Sequence, residues 1–436
     1  MTVLACPKSA SIPMRLTEET MRRSSPIWLV ALGCVIVLAA LAPAASGQDW
    51  LQGRYDAVNS AFSPSALPAA PQLLWTFSGK SQGVRLHPDS GSAVHAGVLF
   101  TSADKNPTNT EGNAWSEFYA FNATTGQKLW TYDPNVFGAK HDGLVAVDVD
   151  RALVIYPAHD GYIRALDEAT GALVWAFKAC DATQEVCDLE GGVTVANGRA
   201  YYVSNHDLFA LDPDRAGPTV VWSFPRGPLT RGVATKPAVA AGKVFFGGYE
   251  HFWALDELTG AMLWDRPTSQ ADFSYGFNTP HYLNGTIYAS ASRSGSKVTI
   301  LTAIDAATGA TVWERVLRLG FTVKSAVGYG KWFLGFWKGG GQGGLITFDL
   351  ATGKELWRFD RVGLPKVKVG PVNGGPAVAD NKVVFGASDG KVYMLDQATG
   401  NLLWSFITGE TTHSAATVAD GRFFIGSKKT FRAFGP

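Results

Sequence analysis

Hydrophobic and polar positions along the chain follow a unit of eleven residues, which residues 254–264 show clearly. An alternating apolar run leads to Asp256, a short polar stretch closes at Gly260, and a second apolar run ends at Trp264. Alternation with a period of two is typical of a half-buried strand. An Asp side chain opens a turn by bonding its own backbone, and a Gly supplies the positive φ that closes it. The unit therefore predicts a β-hairpin that ends in a large aromatic side chain.

The same unit recurs through most of the chain. One hairpin cannot bury a Trp, so a Trp at the same place in every copy predicts docking onto the neighbouring copy. Spacings of 42 to 55 residues between these tryptophans fit one four-stranded propeller blade per copy. Five further clean copies and one stretched copy occupy residues 120–130, 165–175, 303–313, 347–357, 394–404 and 210–222.

The two ends of the repeated region predict one further blade. Residues 73–77 have the pattern of a last strand, and residues 422–434 have the pattern of the missing first strands without a Trp. Joining them removes the open sheet edge that each would leave alone. The sequence therefore predicts an all-β, eight-bladed propeller over residues 72–436. Its docking tryptophans are Trp75, Trp130, Trp175, Trp222, Trp264, Trp313, Trp357 and Trp404.

This unit resembles the tryptophan-docking motif of the PQQ-repeat, or quinoprotein alcohol dehydrogenase-like, β-propellers. The resemblance covers nearly the whole chain after its first 46 residues, and it implies the propeller fold. Because the motif lies in the scaffold, and many members of that superfamily carry no cofactor, the resemblance says more about fold than about activity.

Residues 1–46 have the three parts of a secretory signal peptide. A polar region with arginines precedes the apolar residues 27–41, and small residues follow. We expect cleavage after Ala44 or Ser46, and therefore a secreted or periplasmic protein without a membrane span. An uncleaved leader would instead anchor the protein in a membrane. Residues 47–71, rich in Ala, Pro and Ser, are predicted to be an N-terminal extension draped on the propeller.

Charge and cysteine content narrow the expected partners. The formal net charge of +1 becomes about −1 when the four basic and two acidic residues of the leader are removed, which argues against binding to nucleic acid. Cys180 and Cys187 remain, and in an exported protein they are expected to form a disulfide, with two free thiols as the alternative. We expect a monomer.

Strand direction predicts that the long loops lie on one face of the propeller, which we call the decorated face. Insertions at residues 102–117, 292–297 and 338–344 fall there, and binding usually lies on loops of a rigid scaffold. An unidentified protein partner or small-molecule ligand is therefore expected on this face. Near the channel, the aligned units predict a ring of polar residues that would suit a small anionic or metal-chelated ligand, or simply a water-filled channel. The ring comprises His87 or Asp89, Asp142, Glu190, Lys236, Asn278, Lys324, Asn373 and His413.

The resemblance to quinoprotein dehydrogenases implies roles for part of this ring. Members of that family hold PQQ on this face and coordinate Ca²⁺ with a Glu and an Asn, so Glu190 and Asn278 would be the metal ligands. Lys324, Asn373 and Lys236 would then be candidates for binding the cofactor. The chain departs from the family at residues 320–326, where the catalytic base would be expected but no acid is present. It also has no Cys-Cys pair and no CxxCH haem motif. Because the expected base is missing, the catalytic residues are unknown.

Three functions follow from these patterns. The first is an exported binding or scaffold propeller without redox activity, and the second is a PQQ- and Ca²⁺-dependent dehydrogenase that oxidises alcohols or sugars. The third is the sensor or substrate-binding part of a larger system, such as one that handles polysaccharides. The aromatic residues within 273–277 and 332–337 suggest it, since exposed rings can stack on sugars.

Overall fold

The described part of the chain consists of β-sheets arranged around a centre. Eight sheets contain four or more strands each, and the innermost strands of neighbouring sheets contact one another, which closes a ring. The predicted eight-bladed propeller is therefore confirmed. The computed structural model describes residues 48–79, 91–105, 115–136, 143–158, 160–180, 191–204, 207–225, 235–248, 251–267, 275–293, 298–319, 324–362, 367–412 and 414–436.

Blades 1 to 4 are meanders of four antiparallel strands, which follow one another from the channel outwards. Blade 1 contains β3 (Ala93–His95), β4 (Val98–Lys105), β5 (Trp115–Asn122) and β6 (Lys128–Tyr132). Blade 2 contains β7 (Ala146–Asp148), β8 (Leu153–Pro157), β9 (Tyr162–Asp167) and β10 (Leu173–Lys178). Blade 3 contains β11 (Thr194–Ala196), β12 (Arg199–Val203), β13 (Asp207–Asp212) and β14 (Thr219–Pro225). Blade 4 contains β15 (Ala238–Ala240), β16 (Lys243–Gly247), β17 (His251–Asp256) and β18 (Met262–Pro267).

Blades 5 to 8 follow the same plan with additions. Blade 5 contains β20 (His281–Leu283), β21 (Thr286–Arg293), β22 (Thr299–Asp305) and β23 (Thr311–Leu317), with β19 (Tyr275–Phe277) also paired to β21. Blade 6 contains β24 (Ser325–Gly328), β25 (Lys331–Gly339), β26 (Gln342–Asp349) and β27 (Glu355–Phe359), and β28 (Arg361–Val362) pairs with β29 (Val367–Lys368) after it. Blade 7 contains β30 (Ala377–Ala379), β31 (Lys382–Ala387), β32 (Lys391–Asp396) and β33 (Leu402–Ile407), with β1 (Phe62–Ser63) added parallel to β30. Blade 8 contains β34 (Thr417–Ala419), β35 (Arg422–Gly426), β36 (Thr430–Gly435) and β2 (Gln72–Ser78).

Blade 8 closes the ring as the sequence predicts. Its outer strand β2 comes from the start of the propeller and pairs antiparallel with β36 from the end of the chain. Phe77 lies opposite Phe431 in this pair. The first and last strands of the propeller therefore share one sheet, so neither is left as part of an incomplete blade.

Each repeated unit folds as the predicted hairpin, and its residue types explain the turn. Asp256 Oδ1 accepts hydrogen bonds from the Leu258 N–H at 3.1 Å, the Thr259 N–H at 2.9 Å and the Thr259 hydroxyl at 2.7 Å. Gly260 has a φ of 72° and donates its N–H to the Asp256 carbonyl. A short acceptor side chain and a residue that tolerates positive φ are therefore both required.

The turn glycine is also the surface on which the Trp of the preceding blade packs. A Cβ at Gly260 would lie 2.6 Å from Cδ2 of Trp222, so a larger residue would displace the ring. The Trp222 Nε1 donates a hydrogen bond of 3.1 Å to the Glu257 carbonyl in the same turn. Six interfaces share both contacts, and they confirm the predicted docking: Trp75–Gly126, Trp130–Gly171, Trp222–Gly260, Trp264–Gly309, Trp313–Gly353 and Trp357–Gly400.

Two interfaces depart from this pattern because the next blade lacks a regular hairpin. Trp175 faces the stretched unit of blade 3, and its Nε1 has no hydrogen-bond partner in the described ranges although the residue is only 6% exposed. Trp404 faces blade 8, where it packs edge-on against Phe423 and Phe434. At these two places the Trp lacks the glycine contact and the indole hydrogen bond, and between blades 2 and 3 the ion pairs Arg151–Asp212 and Arg215–Asp167 also join the blades.

The insertion at residues 338–344 is built as sheet. Gly340 and Gly341, with φ of 60° and 70°, form a tight turn that lets β25 and β26 extend together. The prediction of a loop insertion is therefore wrong here, because the residues on both sides of the two-glycine turn pair with each other as strands. In the same blade Trp332 is fully buried in the core, whereas Trp337 is 45% exposed.

Candidate functional site

The N-terminal extension runs along the central channel and joins the blades from the inside. Its carbonyl groups accept hydrogen bonds from the middle N–H group of successive inner strands. At blade 1 the Val94 N–H donates to the Trp50 carbonyl at 2.8 Å, and at blade 7 the Val378 N–H donates to the Ala61 carbonyl at 2.9 Å. Between them lie the bonds Val147 to Leu51, Val239 to Ala57, Tyr282 to Val58 and Val327 to Ser60.

The two remaining blades bind side chains of the extension or its neighbouring residues. At blade 3 the Val195 N–H donates to Gln52 Oε1 at 3.3 Å, and Gln52 Nε2 donates back to the Val195 carbonyl at 2.8 Å. At blade 8 the Gly421 N–H donates to Ser65 Oγ at 2.8 Å. One short segment thus contacts every blade.

Local conformation lets the extension follow this curved path. Tyr55, Asn59 and Ala61 have φ of 73°, 59° and 52°. Asn adopts such values readily, whereas Tyr and Ala do so at a cost of about 1–2 kcal/mol each. Asp56 supports the bend, because its carboxylate accepts the Ser60 N–H at 2.8 Å and the Ser60 hydroxyl at 2.7 Å. The contacts with the blades must outweigh the backbone strain.

Lys236 binds the extension from blade 4. Its Nζ donates to Asn59 Oδ1 at 2.5 Å, Gln52 Oε1 at 3.1 Å and the Asp56 carbonyl at 3.3 Å, so all three ammonium hydrogens have an acceptor. Complete burial lowers the pKa of Lys236 to about 7. Asn59 is also fully buried, and its Nδ2 lies 3.1 Å from the Pro237 and Pro280 carbonyls.

His281 forms a second buried link between the extension and the blades. Its Nδ1 lies 2.5 Å from the Asn59 carbonyl and its Nε2 lies 2.6 Å from Ser325 Oγ. A carbonyl can only accept, so Nδ1 carries the proton and Nε2 accepts the Ser325 hydroxyl. Desolvation, together with the nearby charges of Arg54 and Lys236, lowers the pKa of His281 to about 3. The imidazole is therefore neutral.

Arg54 lies in the same region and is 1% exposed. Its Nε and Nη1 have no hydrogen-bond partner among the described residues. A Cβ at Gly375 would lie 2.8 Å from Arg54 Nη1 and 2.7 Å from the Cβ of Lys324, so the two basic side chains converge on this glycine. Burial lowers the pKa of Arg54 to about 10.

The two lysines of the predicted ring lie at the same level of the channel as several glycines. Lys236 stands three residues before Val239, and Lys324 stands three residues before Val327, whose N–H groups both bond the extension. The equivalent residues of blades 1, 3 and 7 are Gly91, Gly192 and Gly375. A Cβ at Gly192 would lie 3.2 Å from Lys236 Cδ, so the small residue makes room for the long one.

The two asparagines of the ring lie further from their strands and bond within their own blades. Asn278 Nδ2 donates to Ser290 Oγ at 3.0 Å, and its backbone N–H donates to the Ser290 carbonyl. Asn373 Nδ2 lies 3.5 Å from Ser388 Oγ, at the limit of a hydrogen bond. These bonds are made within blades 5 and 7, and the predicted roles of the four described ring residues stay predictions.

The remaining ring residues, His87, Asp89, Asp142, Glu190 and His413, lie outside the described residues, as does Cys187. Cys180 is buried at the end of blade 2. The described ranges contain no group of three or more His, Cys, Asp or Glu side chains that could hold a metal. The calcium ligands, the PQQ contacts and the disulfide therefore stay predictions, and we derive no reaction step from them.

A separate cleft between blades 8 and 1 is a weaker candidate. It is lined mainly by apolar groups, which include Phe77, Ala103, Tyr119, Phe121 and Phe431. Pockets for small-molecule ligands usually contain a few well-placed polar groups as well. The channel, with its buried charges, is the better candidate site.

Comparison with known families fits this architecture. A family model described as outer membrane protein assembly factor BamB matches residues 116–203, 159–328 and 339–435, which is more than half of the chain. The chain belongs to this family of PQQ-repeat β-propellers. No helix in the described part of the BamB-like propeller is long and apolar enough to span a membrane.

The BamB-like propeller is also similar to quinoprotein alcohol dehydrogenases. It is 26% identical over 308 residues to 1-butanol dehydrogenase (cytochrome c) of Thauera butanivorans, covering 64% of this chain and 41% of that protein. It is 25% identical over 230 residues to quinohemoprotein alcohol dehydrogenase ADH IIB of Pseudomonas putida, covering 49% of this chain and 31% of that protein. The chain spans less than half the length of these relatives.

Solved structures show the same fold. BamB from Moraxella catarrhalis superposes with a TM-score of 0.61 and 20% identity, covering 84% of this chain and 100% of that one. Quinohemoprotein alcohol dehydrogenase from Comamonas testosteroni superposes with a TM-score of 0.70 and 16% identity, covering 90% of this chain and 81% of that one. At these identities the likeness concerns the fold alone.

Sequence reasoning missed Arg54, Asn59 and His281. Residues 48–60 are rich in polar side chains, and this was the available signal. The Ala and Pro residues at positions 61–71 obscure it when the composition of the whole extension is considered. His281 carries no local signal, because it occupies an ordinary strand position and acquires its partners from distant parts of the chain.

Proposed function

We propose that this chain is an exported binding and scaffold propeller that holds a ligand or protein partner on its decorated face. The supporting observation is that polar side chains near the channel form hydrogen bonds within the protein. All three donors of Lys236 are bound by the extension, and Asn278 bonds Ser290 in its own blade. The channel wall thus serves to unite the blades, and the loops of the decorated face are left to recognise partners.

A second candidate function is oxidation of alcohols or sugars with PQQ and Ca²⁺. Its support is the sequence similarity to the 1-butanol and quinohemoprotein alcohol dehydrogenases. In that case Glu190 and Asn278 would hold the calcium, and Lys324 and Asn373 would bind the quinone cofactor. Lys236 would bind the cofactor only if its hydrogen bonds to the extension were broken.

Titration of the purified protein with PQQ and Ca²⁺ separates the two candidates. Calorimetry would measure binding, and reduction of a redox dye with a panel of alcohols and sugars would measure turnover. The scaffold proposal predicts neither heat nor turnover. Calcium-dependent binding that is lost in Glu190→Ala and Asn278→Ala, but kept in the control Asn135→Ala, would establish the dehydrogenase instead.

Export is tested separately. N-terminal sequencing of the protein recovered from the periplasm or the medium should begin after Ala44 or Ser46. Recovery of the intact leader in the membrane fraction would show that the chain is anchored.

A further inference from the structure

We propose that Arg54 binds a small oxyanion, of the carboxylate or phosphate type, inside the central channel. The site comprises the Arg54 guanidinium, the backbone at Gly375 and the adjacent side chain of Lys324. It does not depend on the proposed function, since either a scaffold or a dehydrogenase could contain it.

The Arg54 guanidinium is a buried cation with unused donors. The residue is 1% exposed, and its Nε and Nη1 have no hydrogen-bond partner among the described residues. A buried cation without a counter-charge is costly, whereas a charge-assisted hydrogen bond to an oxyanion is strong. Every other charged group that the structure places in this part of the channel must therefore be considered as a partner.

No described acid fills this role. Asp56 is the carboxylate in this part of the extension, and both of its oxygens accept hydrogen bonds from Ser60. The other charged neighbours are Lys236 and Lys324, which have the same sign as Arg54. Burial is the main cause of the lowered pKa values of Lys236 and His281, and the charge of Arg54 adds to the lowering of both. The region therefore carries an excess of positive charge that suits an anion.

The backbone at Gly375 lies directly against the Arg54 guanidinium and the base of the Lys324 side chain. Gly375 has a φ of 82°, and any side chain there would collide with Nη1 of Arg54 and with Cβ of Lys324. Glycine is therefore required for the backbone to lie this close to the guanidinium. The planar guanidinium donates in a fork that matches the oxygens of carboxylate and phosphate. Because Arg54 is almost wholly buried, the group it binds must be compact.

The experiment measures thermal unfolding of the purified protein by its tryptophan fluorescence in a buffer of low ionic strength. Phosphate, sulfate and acetate are titrated in parallel, with sodium chloride at matched ionic strength as the reference. The melting temperature should rise with the logarithm of oxyanion concentration, as expected for a ligand of the folded state. The phosphate and acetate arms distinguish a phosphate-type from a carboxylate-type ligand.

Two charge-matched variants locate the site. Arg54→Gln should abolish the shift and weaken affinity, measured by calorimetry, at least about tenfold. Arg315→Gln removes the same charge from the exposed outer strand of blade 5 and should respond like the wild type. Arg54→Lys keeps the positive charge but loses the paired donors of the guanidinium, so it should bind the oxyanion more weakly than wild type. This variant replaces Arg54→Gln in the experiment if Arg54→Gln does not fold.

An oxyanion shift no larger than that of chloride in the wild-type protein would overturn the proposal, as would a full shift in Arg54→Gln. Neither result bears on the scaffold proposal, which is tested by PQQ, calcium and dye reduction.

Discussion

The rim and the channel of this propeller hold the same eight blades together by opposite means. At the rim, six interfaces use one arrangement, in which a Trp packs on the turn glycine of the next blade and its indole donates to a carbonyl there. In the channel, one non-repeating segment offers a different residue to the inner strand of each of blades 1 to 7 and bonds the following turn of blade 8. Rim contacts join two blades at a time, whereas the extension joins all of them.

This difference separates local from global effects. A defect at one docking interface leaves the other interfaces intact, in the manner of repeat proteins whose stability is a sum of neighbour terms. A defect in the extension removes contacts from several blades at once and leaves buried polar groups without partners. Loss of stability should therefore be largest for changes in the extension and smallest for changes at a single rim contact.

Deletion of residues 48–63 should have the largest effect. The inner strands of blades 1 to 7 would each lose a hydrogen-bond acceptor, at about 0.5–1.5 kcal/mol per bond, and Lys236 would lose its three acceptors. We expect a loss of more than about 5 kcal/mol in the free energy of unfolding, measured in urea. Wild-type stability after the deletion would show that the rim alone holds the ring closed.

Substitution of one docking glycine should have a smaller effect. Gly260→Ala places a Cβ 2.6 Å from the Trp222 ring at a φ of 72°, so strain and overpacking together should cost about 2–4 kcal/mol. Gly242→Ala is the matched control, because its φ of 70° is similar but nothing lies within 4 Å. Equal losses of unfolding free energy in the two variants would contradict a packing role for the turn glycine.

Burial of Lys236 in the channel predicts that the free energy of unfolding depends on pH. An unfolded Lys keeps its proton up to about pH 10, whereas the pKa of Lys236 in the folded protein is lowered to about 7. Between these values the unfolded state holds more protons, so stability should rise with pH by up to about 1.4 kcal/mol per pH unit. Urea unfolding from pH 7 to 9 should show this slope in the wild type but not in Lys236→Met. The same slope in Lys236→Met would assign it to other groups.

The smallest effect should distinguish a regular from an irregular rim interface. Trp264→Phe removes an indole that donates to the Ala306 carbonyl at 3.3 Å, whereas Trp175→Phe removes an indole whose Nε1 has no described partner. Both variants lose similar ring area, so Trp264→Phe should cost about 1 kcal/mol more in unfolding free energy. A larger cost for Trp175→Phe would show that the stretched interface depends on more than aromatic burial.

The accuracy of sequence reasoning follows the same division between rim and channel. The hairpin around Asp256, the positive φ of Gly260 and the docking of Trp222 were predictable, because turn and strand signals lie within one unit and recur. Closure through β2 was predictable as well, since a last strand without its first strands must find them elsewhere. The insertion at residues 338–344 was misread because a glycine-rich stretch is compatible with both a loop and a tight turn.

The candidate site was predictable only in part. Aligning the units singled out Lys236, which the structure shows bonded to the extension, and Asn278 and Asn373, which bond within their own blades. Aligning sequence units specifies a position along a strand, but it does not specify what packs against that position from outside the repeat.

The sequence by itself determined the number of blades, the way the ring closes and the residues that dock one blade on the next, because those contacts are made between neighbouring copies of a local pattern. Only the tertiary structure decided the path of the extension, the burial of Arg54 and the partners of Lys236 and His281. Those contacts join residues far apart in the chain, and a segment without a repeat carries no periodic signal of what it will touch.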